Sequence, residues 1–326
     1  MSTRDRMLGL TVVVLWGLNF IAIRFGLDHF PPFFFAALRF AVMAVPVILF
    51  VPFPQVRKRW FLLYAVGFGF AQFAFLFLAM DTGMPTGLAS LVLQSSAPFT
   101  VLLGVLFLRE RMSPLQIGGI GVAVAGMVVI GADRMTHSAL GVGAIVPVLL
   151  TVAAGLGWAF GNIGSRLARP DNALRMTLWM SVVPPLPFLA MSLALEGPTA
   201  GVESLTTLGS ADGLLAIGGL VYVVLLGTIA GSGLWTHLLA RYEASRVAPL
   251  SLLVPIVGIT ASWLILREAP SMVELAGAAI VITGCAAGVL ARPSTSATPS
   301  NSGAEHDADG GERRDVRDEP MVASAR

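Results

Sequence analysis

Residues 106–113 read LFLRERMS and residues 264–271 read LILREAPS, so one pattern of Leu, Arg, Glu and Ser occurs twice in the chain. Leu and Gly matches alone are common in an apolar chain, but an Arg-Glu pair with correctly spaced neighbours is not. The same offset of 158 residues also aligns two pairs of glycines, Gly119 with Gly277 and Gly126 with Gly284. We therefore predict an internal duplication.

The chain around these segments has the composition of a membrane protein. Hydrophobic residues make up 56% of the 326 residues and charged residues 12%, whereas a soluble domain has about 25% charged residues. A chain of this size could not hide so much apolar surface from water, so lipid must be part of its solvent. The net charge of +2 gives no indication of a nucleic-acid partner. A single cysteine, Cys285, and four scattered histidines predict no disulfide framework, metal site or cofactor.

Runs of about 20 mostly apolar residues, the length of a transmembrane helix, occur ten times. They are residues 7–25, 33–52, 60–80, 86–108, 114–132, 142–164, 174–195, 213–237, 247–266 and 272–291. The first run follows Arg4 and Arg6, as in a signal peptide, but it lacks a small-residue cleavage site and nine further runs follow it. We therefore predict an all-α membrane protein with ten transmembrane helices.

The duplication divides the ten predicted helices into two repeats of five, residues 1–135 and 140–292. A second alignment, at an offset of 142 residues, pairs Trp16 and Arg24 with Trp158 and Arg166. Because five is an odd number, the second repeat must enter the membrane from the opposite side. Inverted repeats of this kind form a site near the middle of the membrane and permit alternating access, which is the geometry of a transporter.

The distribution of Lys and Arg predicts the orientation, because cytoplasmic loops carry an excess of positive charge. One side holds three such residues, Arg24, Arg134 and Arg267. The side of the N-terminus holds twelve: Arg4, Arg6, Arg57, Lys58, Arg59, Arg109, Arg111, Arg166, Arg169, Arg175, Arg241 and Arg246. Both termini are therefore predicted to be cytoplasmic. Residues 293–326 have too few large apolar side chains to fold and are predicted to form a disordered cytoplasmic tail.

Six motifs resemble those of the drug/metabolite transporter superfamily, specifically its EamA-type branch, and most closely the bacterial O-acetylserine/cysteine exporters. They are WGLNF (16–20), LRF (38–40), AQFAFLF (71–77), GLASLVLQ (87–94), WAFGNI (158–163) and RYEASRVAPLSLLVP (241–255). The resemblance covers almost all of residues 1–292. It implies ten helices in a 5+5 inverted repeat, a place in the bacterial inner membrane, and export of amino acids or their metabolites.

Two Trp–Asn pairs are candidates for substrate binding. Trp16 and Asn19 are three residues apart in the first span, and Trp158 and Asn162 are four apart in the sixth, so each pair shares a helix face. An aromatic face beside an amide suits the carbon skeleton and the polar ends of a zwitterion. The alternative is structural: each Asn would bond to a neighbouring helix and each Trp would pack.

Three further polar residues lie inside predicted spans, where burial is costly and typical of functional sites. Gln72 and Gln94 offer uncharged donors and acceptors for a small substrate, or hydrogen bonds between helices. Arg39 lies six residues into the second span, and no acid lies in the middle of any span. Its charge could be compensated by Asp81, by backbone carbonyls, by interfacial water, or by the carboxylate of a substrate.

The acids of the duplicated segments, Glu110 and Glu268, are predicted to act in gating or structure at opposite faces of the membrane. We expect Glu110 to pair with Arg109 or Arg111, and Glu268 to pair with Arg267, in salt bridges that open and close with a gate.

Two prolines and two sets of glycines complete the candidates. Pro98 and Pro255 lie in matching parts of the fourth and ninth spans and are predicted hinges. Glycines in the fifth and tenth spans form small-residue stripes, which favour close helix contact. That contact could lie within one chain or between the two chains of a homodimer.

Other functions fit the sequence less well. A multidrug or other small-metabolite exporter of the same superfamily stays open as an alternative. A membrane-embedded lipid-modifying enzyme would need clustered His, Asp, Glu or Arg at one membrane face, and this chain has only single charges there. A sensor would need a folded cytoplasmic domain, which the polar C-terminal segment cannot form.

Overall fold

A computed structural model describes residues 1–137, 141–242 and 244–290 of the chain. The predicted tail, residues 293–326, lies outside the described residues. The described part consists of helices joined by short turns. The ten long helices are α1 (Thr3–Leu27), α2 (Pro32–Phe50), α3 (Lys58–Asp81), α4 (Thr86–Leu108), α5 (Pro114–His137), α6 (Ile145–Ala168), α7 (Ala173–Glu196), α8 (Ala211–Leu238), α9 (Pro249–Leu266) and α10 (Met272–Leu290).

Nine of these helices, α1 to α9, are long and apolar enough to cross a membrane, and in α10 the apolar part is the shorter Met272–Gly288. The prediction of an all-α membrane protein with ten helices in two repeats of five is confirmed. One connection is more ordered than expected, because the short helix Ala200–Thr206 lies between α7 and α8.

The two repeats interlock instead of standing side by side. The first helix of each repeat packs against the third and fourth helices of the other, so α1 contacts α8 and α9, and α6 contacts α3 and α4. In the same way α2 packs against α7, and α5 packs against α10. Any cavity in the middle of the bundle is therefore lined by both repeats.

The duplicated segments have the same local structure because they contain the same helix-ending signals. Arg109 and Arg267, one residue beyond α4 and α9, both adopt the left-handed conformation, with φ of 56° and 60°. The backbone N–H groups of the two glutamates that follow donate back to the carbonyls of Gly104 and Ser262. Each repeat thus ends its fourth helix in the same left-handed turn.

The next helix of each repeat begins with the same capping arrangement. Ser113 and Gln116 exchange backbone-to-side-chain hydrogen bonds of 2.9 and 3.2 Å, and Ser271 and Glu274 exchange bonds of 2.9 and 3.0 Å. These are capping boxes, which satisfy otherwise unpaired N–H groups at a helix start. The serine shared by the two segments is therefore conserved between the repeats by a structural need.

The spans that face the interior are irregular at matching places. Residues Ala65–Ala71 of α3 and Tyr222–Ala230 of α8, the third helices of the two repeats, are π-helical. In α4 a 3₁₀ turn, Leu93–Ser95, precedes Pro98, and in α9 Pro255 lies in the first turn of the regular segment Val254–Ala261. Interruptions of this kind occur at functional sites in helices, and the hinge role of the two prolines stays a prediction.

The small-residue stripes pack against each other within one chain. Gly119 and Gly126 of α5 lie against the backbone carbonyls of Gly284 and Gly277 of α10. The sequence left open whether the stripes pack within one chain or between two chains of a homodimer, and the structure shows them packed within one chain. A homodimer stays a prediction, and its interface would have to lie elsewhere.

Replacing Gly126 with Ala is expected to destabilise the protein by about 1 kcal/mol or more, because overpacking a close helix contact has costs of this order. An added Cβ would lie 2.8 Å from the carbonyl oxygen of Gly277 and 2.7 Å from a methyl group of Val281. Gly121→Ala, on the same helix, is the matched control, because nothing lies within 4 Å of its added Cβ. Thermal unfolding in detergent would compare the variants, and equal midpoints would contradict the close packing of α5 and α10.

Candidate substrate-binding cavity

A cavity of about 450 Å³ lies between the helices of both repeats. Its volume falls in the range of small-molecule sites, about 300–1,000 Å³. All seven residues predicted to bind substrate line it: Trp16, Asn19, Arg39, Gln72, Gln94, Trp158 and Asn162. Pro98 also lines this cavity, whereas the gating candidates Glu110, Glu268 and Pro255 do not. The structure therefore brings together predicted site residues from five helices, α1 to α4 and α6, that are far apart in the sequence.

The cavity extends from the middle of the bundle toward the side on which the N-terminus lies. Its lining includes Gly119 in the first turns of α5, Thr100 in the second half of α4, and Trp235 near the end of α8. These positions share one side because odd-numbered helices start there and even-numbered helices end there. The site is thus displaced toward the face that carries the excess of Lys and Arg.

Arg39 is the most unusual residue of the cavity. Only 4% of it is exposed, and its Nη2 donates to Thr228 Oγ1 at 3.1 Å, while Nε and Nη1 have no hydrogen-bond partner among the described residues. The guanidinium carbon lies 4.0 Å from the centre of the Phe73 ring and 5.0 Å from that of Phe40. Each such cation–π contact contributes about 2 kcal/mol when desolvated, whereas removing a cation from water costs several kcal/mol.

No acid compensates this charge in the part of the chain that the structure describes. None of the described ion pairs includes Arg39, and no Asp or Glu lines the cavity. Asp81, which the sequence left open as a partner, is exposed at the end of α3. Among the described residues neither Asp81 nor a backbone carbonyl accepts from Arg39, and compensation by the carboxylate of a substrate stays a prediction.

The four cavity amides divide into two kinds. The side-chain nitrogens of Asn162 and Gln94 are engaged, donating to Thr100 Oγ1 at 3.0 Å and to the backbone carbonyl of Ser251 at 3.4 Å. The side-chain carbonyl oxygens of Asn19 and Gln72 are buried and have no hydrogen-bond partner in the part of the chain that the structure describes. Asn162 and Gln94 therefore fit the helix-bridging alternative in part, and the Asn19 oxygen packs against Gly227 of α8.

Aromatic rings form the apolar walls. The Trp16 ring lies 5.1 Å from the Trp235 ring and donates its N–H to the carbonyl of Gly227 at 3.0 Å. Trp158 meets Phe68 edge to face, with 5.4 Å between ring centres. Sequence reasoning missed Trp235 and Thr228. Thr228 could have been noticed as a hydroxyl in the eighth span, but its role as the partner of Arg39 depends on the fold.

The predicted salt bridges of the two repeat-related acids were wrong in their partners. Glu110 pairs with Arg166 at the end of α6, accepting from both terminal nitrogens, Nη1 and Nη2, of that guanidinium. The left-handed turn at Arg109 separates the acid from its chain neighbour, because it turns Glu110 back along α4 toward Gly104. Arg166 is the residue that the alignment paired with Arg24.

Glu268 has hydroxyl and backbone partners in place of Arg267. Its carboxylate accepts from the backbone N–H of Thr86 at 2.7 Å, from the Thr86 hydroxyl at 3.1 Å, and from the Ser262 hydroxyl. Thr86 is the first residue of α4, and Pro85 before it has no side-chain group that could cap the helix. Glu268 therefore caps α4 from the end of α9, which joins the two repeats on the face opposite Glu110.

In the part of the chain that the structure describes, apolar helices in two interlocked repeats surround a central cavity lined by both repeats, which is the architecture of a polytopic membrane transporter. The chain belongs to the EamA-like transporter family, whose sequence profile matches residues 6–132 and 145–289. A protein of Escherichia coli K12 called "probable amino-acid metabolite efflux pump" is 42% identical over 288 residues, which are 87% of this chain and 94% of that protein. A protein of the same description from Salmonella typhimurium LT2 has the same identity and coverage.

A solved crystal structure shares the fold. It is 19% identical in sequence, with a TM-score of 0.57 over 89% of this chain and 98% of that chain. At this level of identity the likeness concerns the fold alone.

Proposed function

We propose that the protein exports amino acids or their metabolites, of the O-acetylserine or cysteine type, across the bacterial inner membrane. The observation that carries this proposal is the buried Arg39, whose charge faces the cavity without an acidic partner among the described residues. A substrate carboxylate would supply the missing anion. The names of the two bacterial relatives support the same class of substrate.

The orientation of the proposed exporter follows from charge. The side with twelve Lys and Arg residues would be cytoplasmic, which places both termini, and residues 293–326, in the cytoplasm. The cavity extends toward that same side, where an exporter takes up its substrate.

Transport would proceed by alternating access. The Glu110–Arg166 ion pair connects α4 to α6 on the proposed cytoplasmic face. On the other face the hydrogen bonds of Glu268 to Thr86 connect α9 to α4. These two attachments would loosen in turn, with Pro98 and Pro255 allowing the fourth helix of each repeat to bend. Rocking of inverted repeats around a fixed central site is the established physical route for such a cycle.

Cells that overproduce the protein are expected to accumulate several-fold more O-acetylserine or cysteine in the medium than cells that carry the empty vector. The same cells should tolerate an excess of these compounds, since export lowers the internal concentration. Metabolite analysis of the medium by mass spectrometry makes the measurement, with Arg39→Gln at equal membrane abundance as the inactive control.

The single cysteine provides a second readout on the purified protein. Cys285 lines the cavity and is 3% exposed, so a bound substrate should slow its alkylation by a small thiol reagent. Unchanged extracellular metabolites together with unchanged alkylation would overturn the substrate assignment.

A further inference from the structure

A group of exposed cations lies at the end of the bundle where α3 begins. Residues 57–59 read RKR, and all of these side chains are exposed. Arg169 is also exposed and comes directly after α6. It lies between Gly164 and Asp171, and both of these residues contact the segment 55–60. We call this group the cationic patch, and its members are Arg57, Lys58, Arg59 and Arg169.

The cationic patch has no acidic partner in the part of the chain that the structure describes. None of the ion pairs there includes a residue of the patch, and residues 29–80 of the sequence contain neither Asp nor Glu. Asp171 is close to the patch, but its carboxylate accepts from the backbone N–H of Gln55 at 3.1 Å and pairs with Arg175 at 3.2 Å. The positive charge of the patch is therefore available to an anion from outside the protein.

The surface of α3 that continues from the patch is apolar and faces outward. Arg59, Leu62 and Val66 are spaced by three and four residues, so they lie on one face of the helix. Leu62 and Val66 are 53% and 42% exposed, and the end of the neighbouring α2 adds Leu49 and Phe50, which are 67% and 80% exposed. Because α3 is long and apolar enough to cross a membrane, these side chains contact lipid acyl chains.

Aromatic side chains indicate the depth of the patch in the membrane. The guanidinium carbon of Arg59 lies 4.7 Å from the centre of the Trp60 ring. Trp179 donates its ring N–H to the backbone carbonyl of Val51 at 3.0 Å, and Phe53 meets it edge to face with 5.1 Å between ring centres. Trp side chains next to cations at the ends of membrane helices are typical of the membrane–water interface. The patch therefore lies at the level of the lipid headgroups.

We propose that the cationic patch binds the phosphate headgroup of an anionic phospholipid, with the acyl chains along Leu62 and Val66. The charge of the patch favours an anionic phospholipid over a zwitterionic one, and the apolar face beside it favours a lipid over free phosphate. The patch lies on the proposed cytoplasmic side, where basic surfaces between membrane helices bind anionic headgroups. The proposal does not depend on which substrate is transported.

A lipid at this place would support one wall of the central cavity. The patch joins the start of α3 to the residue after α6, and α3 packs along α6 and carries Gln72 into the cavity lining. A headgroup bound to both Arg59 and Arg169 would hold these two helix ends together.

The test uses the purified full-length protein in dodecyl maltoside, with bound ligand counted by native mass spectrometry. The probes are dioleoylphosphatidylglycerol, dioleoylphosphatidylcholine and glycerol phosphate. We expect phosphatidylglycerol to bind at least about tenfold more tightly than phosphatidylcholine, because each cation near an anionic headgroup contributes roughly a factor of five in affinity. Equal binding of the two phospholipids would overturn the proposal. Glycerol phosphate should bind more weakly than phosphatidylglycerol, and equal affinity would indicate a site for free phosphate and refute the lipid assignment.

A charge-removing variant assigns the binding to the patch. Combining Arg57→Gln, Lys58→Gln and Arg59→Gln should weaken phosphatidylglycerol binding by at least about tenfold, since the patch loses most of its charge. The matched control combines Arg4→Gln, Arg6→Gln and Arg111→Gln, which removes the same charge from exposed positions elsewhere on the same side.

The control variant should keep the original affinity for phosphatidylglycerol. Equal losses in the two triple variants would show an effect of net charge and would overturn the proposed site. If the patch variant does not fold, Arg169→Gln decides the question. Binding weakened by about fivefold would support the patch, and unchanged binding would overturn it.

Discussion

Arg39→Gln is expected to lower transport of carboxylate-bearing substrates by about 100-fold, since removing one partner of a buried, hydrogen-bonded charge pair costs about 2–5 kcal/mol. The folded protein should be at least as stable as the original. Gln is neutral and needs no ionic partner, and Thr228 is the one hydrogen-bond partner of Arg39 among the described residues. Arg39→Gln should thus lose transport activity while its thermal stability stays unchanged or rises.

This separation distinguishes a substrate anchor from a structural residue. A guanidinium that merely holds helices together would lose both stability and transport when it is replaced. Arg39→Lys is the informative companion, because it keeps the charge but loses the planar group that stacks on Phe73. We expect Arg39→Lys to transport at an intermediate rate.

The measurement is transport of the free acid and of its amide at matched membrane abundance, together with thermal unfolding in detergent. The amide should be affected less by Arg39→Gln, because it makes no ionic contact with the guanidinium. Near-normal export of the free acid by Arg39→Gln would end the role of Arg39 as an anchor.

The sequence was sufficient to predict the fold because lipid imposes strong constraints. A transmembrane helix needs about 20 apolar residues, so ten runs of that length already limit the architecture, and the duplicated LFLRERMS and LILREAPS segments define the repeat. The seven cavity residues could also be predicted from the sequence, since polar side chains within apolar spans are rare enough to be noticed one by one.

The partners of these residues could not be predicted in the same way. Glu110 bonds to Arg166 and not to its neighbours in the chain, because a left-handed turn at Arg109 redirects the acid. Thr228 contacts Arg39 across 189 residues of sequence, and nothing in the sequence pairs this hydroxyl with that guanidinium. Which side chains bond to each other depends on how the two repeats pack together, and a local sequence pattern does not contain that information.

The two repeat-related glutamates should differ sharply when each is replaced by Gln. Glu268→Gln is expected to destabilise the protein by about 3 kcal/mol, because hydrogen bonds to a charged group contribute about 1.5–3 kcal/mol each and the variant loses at least one of three. Its new NH2 group would face donors at Thr86 and Ser262, which need an acceptor. The negative charge at the N-terminus of α4 would also be lost.

Glu110→Gln is the matched control, at the equivalent position of the other repeat. Glu110 and Arg166 are 44% and 49% exposed, and exposed ion pairs contribute about 1 kcal/mol or less. We therefore expect a small change in the unfolding midpoint for this variant. Thermal unfolding of both variants in detergent makes the comparison.

Thiol labelling of Cys285 at equal membrane abundance extends the comparison to the transport cycle. If Glu268 closes the face opposite the cytoplasmic side, its replacement should favour the conformation that is open to that face. Cys285, which lines the cavity, should then react faster with a membrane-impermeant thiol reagent added from that face in Glu268→Gln than in the original protein. Equal stability and equal Cys285 reactivity in the two glutamine variants would show that the repeat-related acids act alike, and the assignment of Glu268 as the stronger attachment would fail.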